Sequence, residues 1–170
     1  GAKARLDNAG WIDSDGDGIR DKNGVALRVL FQTSVNVVRK DFQDVIKQAW
    51  FEIGVETELR AIDASVFFGG DTSSPDTYQK FYADVEMYAR NFDGTDPEAY
   101  MKSWSCDEIP NPENQWQGNN MPRYCNAAYD ALVSDMQRTG SIQDRATLAK
   151  KMNDMLMQDF DMLPLVDRGR

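Results

Sequence analysis

Residues 27–62 read LRVLFQTSVNVVRKDFQDVIKQAWFEIGVETELRAI. Residues 27–31 are a short run of β-prone side chains, and apolar residues then recur at helical spacing from Val38 to Ile53. Gly54 is typical of a helix end, and residues 55–62 alternate in polarity with the period of a strand. This order of strand, helix and strand predicts a βαβ unit, with two parallel strands joined by a right-handed crossover.

A third strand and a short helix are predicted in the middle of the chain. Residues 83–89 alternate in polarity, which favours a strand. Asp96 followed by Pro97 is typical of a helix start, and the helix is expected to run through residues 100–104. The predicted fold class is α/β, with a mostly parallel mixed sheet flanked by helices.

Two amphipathic helices are predicted towards the end of the chain. Asn126 and Ser141 are typical N-cap residues, and apolar residues follow each of them at helical spacing. The second apolar stripe runs to Phe160, and we interpret its methionines as core packing rather than as a metal or cofactor site. Residues 163–166 resemble a strand that is cut short.

Length, composition and charge limit the class of protein. With 170 residues and 41% hydrophobic content, the chain suits one domain with its own core. The net charge of −9 argues against nucleic acid or an anionic membrane surface as a partner, because both would be repelled. The chain has no histidine, which removes the usual general base and the commonest zinc ligand. Its abrupt ends indicate that residues 1–170 are a single domain excised from a longer protein.

The two cysteines predict a disulfide. Cys106 and Cys125 lie 19 positions apart in an irregular stretch, residues 105–124, without the spacing of a metal-binding motif. Closing a loop of this length would stabilise the fold by roughly 3 kcal/mol in the chain-entropy model. Two free buried thiols are the alternative. A disulfide would indicate an oxidising compartment.

An acidic loop near the N-terminus matches part of a calcium-binding loop of the EF-hand type. It has oxygen-bearing residues at positions one, three, five and nine, and a glycine, Gly18, at position six for the sharp turn. Position twelve is Gly24, so the bidentate glutamate of a sensor site is missing and we expect only a weak or structural Ca²⁺ site. The alternative is an Asp- and Gly-rich turn that binds no metal. The candidate ligands are Asp13, Asp15, Asp17, Asp21 and the carbonyl of Ile19.

An ordered set of short motifs covers nearly the whole chain. The set comprises Ala9-Gly10-Trp11, the acidic loop through Gly24, Ile53-Gly54-Val55, residues 91–100, Tyr124-Cys125-Asn126 with Tyr129-Asp130, Arg145, and Leu163-Pro164-Leu165. In this order the motifs resemble the C-terminal lobe of family 5 solute-binding proteins of peptide ABC importers. The resemblance implies one lobe of a type II periplasmic-binding fold, in which two lobes close on a ligand.

The resemblance also implies a function. Such a protein is not an enzyme: it captures an oligopeptide or dipeptide outside the cytoplasmic membrane and delivers it to a permease. The expected partners are the peptide or another small-molecule ligand, the N-terminal lobe of the same full-length protein, and the ABC permease. The expected location is periplasmic or extracellular, with a lipid anchor in the full-length protein as one form of attachment.

The resemblance places the ligand-binding residues around residues 90–93. Asp93 occupies the place of an aspartate that meets the α-ammonium group of a peptide, although it could simply cap the turn at Gly94. Arg90 and Asn91 precede it, where peptide-binding members often carry an aromatic residue. Further candidates for stacking or hydrogen bonding to a ligand are Trp104, Trp116, Gln117, Asn119 and Asn120. Trp116 could equally pack beneath the loop that the cysteines close.

Three other functions are weighed against a peptide-binding lobe. One is an oligosaccharide-binding member of the same family, for which the tryptophans and amides would suit a sugar. Another is a calcium-stabilised extracellular adhesion or scaffold module built around the acidic loop. The third is a carboxylate hydrolase that uses Asp93 with Asp96 or Glu98, although nothing in the sequence fixes two acids at a catalytic separation.

Overall fold

The computed structural model describes residues 1–92 and 94–167, which divide into two units, Gly1–Ala89 and Arg90–Arg170. The assignment of residues 1–170 to a single excised lobe stays a prediction. The elements of the first unit are α1 (Ala2–Asn8), β1 (Asp21–Lys22), β2 (Val25–Ala26), β3 (Arg28–Ser34), α2 (Val37–Phe51), β4 (Glu56–Ile62), α3 (Ala64–Phe67) and β5 (Val85–Met87). Those of the second unit are α4 (Glu98–Lys102), a 3₁₀ turn (Cys106–Glu108), α5 (Ala127–Arg138) and α6 (Ile142–Asp159).

A parallel sheet with β3 at its centre organises the first unit. The strand order is β4-β3-β5, and β3 pairs in parallel with both neighbours, so that Phe31 lies opposite Leu59 on one side and Val85 on the other. The predicted βαβ unit and parallel sheet are therefore confirmed. The separate two-stranded ribbon of β1 and β2 is antiparallel.

Strand β5 is shorter than the predicted residues 83–89. The carboxylate of Asp84 accepts a hydrogen bond from the backbone N–H of Leu30 at 2.7 Å, a donor that a longer β5 would otherwise have to pair. At the other end, the hydroxyl of Thr33 donates to the carbonyl of Met87 at 2.5 Å. Side-chain hydrogen bonds thus replace part of the backbone pairing with β3 at both ends of β5, and the strand is three residues long.

Helix α2 lies against the sheet through a narrower strip than its sequence predicts. The rings of Phe31 and Trp50 are 5.7 Å apart, and the buried amide of Gln43 donates to the carbonyl of Phe31 at 2.8 Å. Val38 and Val45, which the periodicity assigns to the core face, lie to one side of this strip and are exposed. That part of the prediction is wrong, because the sheet has three strands and covers only part of the apolar face.

Gly54 makes the return from α2 to β4 possible. Its φ is +85°, a left-handed conformation that other residues adopt only with strain. A Cβ atom at this position would lie 2.7 Å from Cγ of Arg20. The same arginine donates from Nε to the carbonyl of Ile53 at 2.7 Å, so the helix end is held by a side chain that needs the space a glycine leaves.

The second unit is helical, and two of its helices, α5 and α6, begin where the sequence predicts. The side-chain oxygens of Asn126 and Ser141 accept the backbone N–H groups of Ala128 and Asp144, which caps α5 and α6. Helix α4 starts one residue later than predicted, because Pro97 stands at its N-cap while the Asp96 carboxylate accepts the N–H of Glu98. It also ends at Lys102 rather than at residue 104, because the following residues form turns with i→i−3 hydrogen bonds.

The core of the second unit brings together aromatic, aliphatic and methionine side chains. The predicted inner face of α5 is buried, and Met152 and Leu156 of α6 pack against it, which confirms the methionines as core residues. Phe160 was predicted to continue this stripe but is 68% exposed, since α6 ends there in a left-handed residue with φ +59°. The buried cluster consists of Trp104, Tyr124, Tyr129, Leu132, Val133, Met136, Met152 and Leu156. Residues 163–166 form no strand in the described part of the chain.

The predicted disulfide joins Cys106 and Cys125. The segment between them is irregular beyond its first 3₁₀ turn, as predicted, so its backbone needs hydrogen-bond partners other than a helix or a sheet. Asn120 supplies them: its buried amide nitrogen donates to the carbonyls of Trp104, Ser105 and Tyr124 at 3.1, 2.9 and 2.7 Å. Its side-chain oxygen accepts the N–H of Tyr124 at 3.1 Å.

We predict that Asn120→Ala lowers the free energy of unfolding by about 3 kcal/mol or more, since three carbonyls and one N–H lose their partner in a buried place. Urea unfolding followed by circular dichroism measures this change. Gln117→Ala is the matched control, because the single hydrogen bond of the Gln117 side chain within the described residues is a long one, of 3.5 Å, to the carbonyl of Gln115. Equal stability of the two variants would show that the Asn120 amide does not hold the loop.

Candidate functional site

The carboxyl ends of β3, β4 and β5 meet at one edge of the sheet, and aromatic side chains collect there. The rings of Phe68 and Tyr78 are 5.4 Å apart, as are those of Tyr78 and Tyr88. The Arg39 guanidinium lies 5.5 Å from the Phe68 ring and donates to the hydroxyl of Ser34, the last residue of β3. Phe67, Phe68, Tyr78 and Tyr88 are called the aromatic edge below. Phe68 is 41% exposed, so part of this group is accessible to solvent.

Sequence reasoning assigned no ligand role to the aromatic edge. The signal that could have found it is the position of Tyr88 directly after β5, and of Phe67 and Phe68 soon after β4. In open α/β sheets, ligands bind outside the carboxyl ends of the strands. Tyr78 offers no such signal, because it comes to this edge from an irregular segment.

In the second unit, three of the predicted ligand residues come together around Arg90. Its guanidinium lies 4.7 Å from the ring centroid of Trp104 and 5.5 Å from that of Tyr100. Nη1 of Arg90 donates to the backbone carbonyl of Asn119 at 2.8 Å. The amide of Asn119 donates in turn to Oε2 of Glu108 at 2.9 Å. The arginine is therefore held against two aromatic rings by a hydrogen bond from one of its five N–H donors.

The structure corrects the role of Trp104. The residue is 2% exposed and belongs to the core of the second unit, so its ring cannot stack on a sugar that approaches from solvent. It instead supports the guanidinium of Arg90. Its indole N–H is buried and finds no acceptor among residues 1–92 and 94–167. Asn120, the other predicted sugar ligand that is buried, is saturated by backbone groups.

The remaining predicted ligand residues differ in what the structure shows of them. Asp93 lies outside the described residues. Asn91 is exposed, and Trp116 is half-buried within the disulfide loop, where its φ is +61°. Their roles as ligand residues stay predictions.

Arg145 stabilises the turn that follows Asp93 in the sequence. Its Nη2 donates to the carboxylates of Asp96 at 2.6 Å and Glu98 at 2.7 Å, while Nη1 donates to the carbonyls of Met136 and Thr139 at the end of α5. Its hydrogen bond lowers the pKa of Asp96 below the ordinary value of 3.8. A lowered pKa keeps the Asp96 carboxyl ionised, so it is a poor general acid.

The acidic loop brings three of its four predicted carboxylate ligands together. Oxygens of Asp13, Asp15 and Asp17 all lie within 4.8 Å of one another. Asp21 is not part of this group, because its carboxylate accepts hydrogen bonds from the N–H and the hydroxyl of Ser14 at 2.9 and 2.6 Å. These bonds also lower the pKa of Asp21. The donor set therefore fits a hard divalent cation only in part, and calcium binding stays a prediction.

Comparison with known proteins decides the family. The sequence model of the bacterial extracellular solute-binding proteins, family 5 middle region, matches residues 1–111. The chain belongs to this family. None of the helices in the described part of this family 5 chain has the length and apolar character that crossing a bilayer requires.

Individual relatives support the same assignment. The oligopeptide-binding protein AppA of Bacillus subtilis is 28% identical over 157 residues, which is 88% of this chain and 25% of AppA. A dipeptide-binding protein of Pseudomonas aeruginosa is 22% identical over 135 residues, or 79% of this chain and 23% of that protein. The chain thus spans about a quarter of the length of these relatives.

Solved structures confirm the fold class. The oligopeptide-binding protein of Thermus thermophilus, in complex with a pentapeptide, superposes with a TM-score of 0.77 at 21% identity. The match covers 96% of this chain and 28% of that one. The predicted α/β fold of the periplasmic-binding type is therefore confirmed.

We predict that about 10 mM calcium stabilises the protein by about 1.4 to 2.7 kcal/mol, if the loop has the dissociation constant of about 10⁻⁴ to 10⁻³ M typical of extracellular sites. Differential scanning calorimetry with and without calcium measures the shift in melting temperature. Asp15→Asn should remove the shift, whereas Asp41→Asn, an exposed acid on α2, should leave it unchanged. An identical melting temperature of the unaltered protein in calcium and in a chelator would contradict the prediction.

We predict that Arg145→Met lowers the melting temperature at neutral pH and weakens its pH dependence. Because the folded pKa of Asp96 is lowered, its contribution is present above the ordinary pKa of 3.8 and is lost as the pH falls through the folded value. In thermal melts from pH 7 down to pH 3, the difference between the variant and the original protein should therefore become smaller at the acid end, while the part due to the bonds from Arg145 to the carbonyls of Met136 and Thr139 remains. Arg138→Met, whose arginine pairs only with the exposed Asp135 among the described residues, serves as the control.

Proposed function

We propose that this chain is part of the substrate-binding component of an ABC importer, which captures an oligopeptide or a dipeptide outside the cytoplasmic membrane. The observation that carries the proposal is the family match over residues 1–111. The names of its relatives, an oligopeptide-binding and a dipeptide-binding protein, support a peptide as the ligand. In this proposal the chain is the C-terminal lobe, it catalyses no reaction, and it delivers its cargo to a permease.

Asp93 is proposed as the anchor for the α-ammonium group of the peptide. A carboxylate that is shielded from water forms a charge-assisted hydrogen bond to an ammonium group, and this bond is much stronger than in bulk water. Arg145 supports this role indirectly, since it pairs with Asp96 and Glu98 in the turn that follows in the sequence. The turn is thereby pre-organised, which lowers the entropic cost of binding.

The aromatic edge of the first unit is proposed as an apolar surface that can contact peptide side chains. The partly exposed ring of Phe68 and its neighbours in the aromatic edge offer apolar area that tolerates different side chains. This tolerance suits a receptor that accepts different apolar side chains at this surface. The burial of Trp104 removes one of the rings on which the oligosaccharide alternative depends.

The full-length protein is proposed to close two lobes on the ligand, of which this chain supplies one. Closure removes water from both halves of the site and completes the set of contacts. The chain by itself should therefore bind a peptide only weakly, and the N-terminal lobe and the permease are the partners of the complete protein. The proposed location is the periplasm or the outer face of the membrane, with lipid anchoring as the form of attachment in the latter case.

We predict that Asp93→Asn in the full-length protein weakens binding of the tripeptide Ala-Ala-Ala by about 2 to 4 kcal/mol, or roughly 30- to 1000-fold, because a shielded charge pair is broken. Isothermal titration calorimetry measures the affinity. Asp135→Asn, at an exposed position on α5, is the matched control and should bind like the original protein.

A second ligand separates the anchor from general peptide affinity. N-acetyl-Ala-Ala-Ala lacks the ammonium group and should bind the original protein as weakly as Ala-Ala-Ala binds the Asp93→Asn variant. Equal affinity of the original protein for both peptides would rule out Asp93 as an ammonium anchor. No binding of either peptide would contradict the peptide-binding function.

A further inference from the structure

We propose that Arg90 selects peptides with an acidic side chain in their first or second residue, an inference that rests on the proposed peptide-binding function. The proposal concerns the ligand class rather than the capture of peptides as such. It arises from the way the second unit holds the guanidinium.

The guanidinium of Arg90 is fixed in place by neutral groups. It lies 4.7 Å from the Trp104 centroid and 5.5 Å from that of Tyr100, and it donates one hydrogen bond to the carbonyl of Asn119. Trp104 cannot move aside, because it is buried in the core. A guanidinium that is pre-oriented in this way loses little entropy when it binds a planar anion.

No carboxylate among residues 1–92 and 94–167 forms an ion pair with Arg90. Its nearest acidic neighbour in the hydrogen-bond network, Glu108, is already engaged by the amide of Asn119 and lies 3.7 Å from the ammonium of Lys102. The remaining donors of Arg90 therefore suit an anion from outside the chain.

The guanidinium of Arg90 itself supplies the hydrogen-bond donors for such an anion. The one carbonyl that Arg90 contacts within the described residues, that of Asn119, is occupied by its Nη1. A carboxylate can accept two parallel N–H bonds from a guanidinium, whereas a neutral amide cannot match this geometry and charge.

The position of Arg90 in the sequence indicates which part of the peptide it reads. It lies three positions before Asp93, a stretch of backbone that spans at most about 10 Å. An extended peptide with its ammonium group at Asp93 covers a similar distance with its first two residues and a glutamate side chain. Arg90 is thus proposed to meet an acidic side chain near the amino terminus.

The test uses the full-length protein and four tripeptides: Glu-Ala-Ala and Ala-Glu-Ala, each with its neutral counterpart in which glutamine replaces glutamate. Isothermal titration calorimetry should show at least about tenfold tighter binding for one glutamate peptide than for its glutamine counterpart. In Arg90→Gln the two should bind within about twofold of each other, because the charge is gone. Arg90→Lys should keep part of the preference, since it keeps the charge but not the planar fork.

Arg138→Gln is the control for the loss of an arginine elsewhere in the second unit and should retain the full preference. A melting temperature for each variant separates misfolding from lost recognition, and the Arg90→Lys result decides the matter if Arg90→Gln does not fold. Equal binding of all four peptides by the original protein would overturn the inference while the peptide-binding function stands. Binding of none of them would contradict both.

Discussion

The carboxamide of Asn120 is the interaction on which the geometry of the second unit depends. It joins the carbonyls of Trp104 and Ser105 to the backbone of Tyr124, and the disulfide begins one residue further on at each end. The hydrogen bonds of the Asn120 amide and the disulfide therefore close the same loop at adjacent residues. The next residue towards the N-terminus, Asn119, carries the carbonyl that receives Arg90. The orientation of the guanidinium is thus a consequence of how the loop is closed.

Side chains satisfy the backbone in this unit where regular structure cannot. Arg145 donates hydrogen bonds to the carbonyls at the end of α5, and the hydroxyl of Tyr129 donates to the carbonyl of Met101 at 2.8 Å. Tyr129 is fully buried, and desolvation raises the pKa of its phenol, which keeps it a neutral donor. Burial and the hydrogen bond to Asp159 likewise raise the pKa of Tyr124 to about 12. The irregular loop can pack against a core because these donors reach its ends.

The elements that follow from local rules could be predicted from the sequence. The βαβ unit, the helix starts at Asn126 and Ser141, and the disulfide depend on neighbours within a few residues or on cysteine spacing. The site could be predicted less well, because an amide or an indole in a loop has the same sequence signature whether it contacts a ligand or the chain itself. Asn120 and Trp104 illustrate this ambiguity. The carbonyls that the Asn120 amide contacts lie 4 to 16 residues away in the sequence, and Trp104 is buried by the core of the second unit.

Long-range side-chain bonds also explain the departures in the first unit. Asp84 shortens β5 by pairing with Leu30, which lies 54 positions earlier, and no local pattern reveals such a contact. The Asp21 side chain is not part of the cluster of carboxylates in the acidic loop, because it accepts two hydrogen bonds from Ser14. In both cases a carboxylate accepts hydrogen bonds from N–H or O–H donors. Periodicity and motif spacing do not predict these bonds.

The overall acidity of the chain does not decide the charge of its ligand. At physiological ionic strength, charges are screened beyond about 8 Å, so most of the excess acidic residues act weakly on a group bound at Arg90. The nearby Glu108 is occupied by Asn119 and Lys102, which reduces its repulsion of an anion. What a ligand meets at contact distance is a fixed guanidinium on two aromatic rings. An acidic chain can therefore carry a local site for an anion, and the arrangement of neutral groups around one arginine matters more than the net charge.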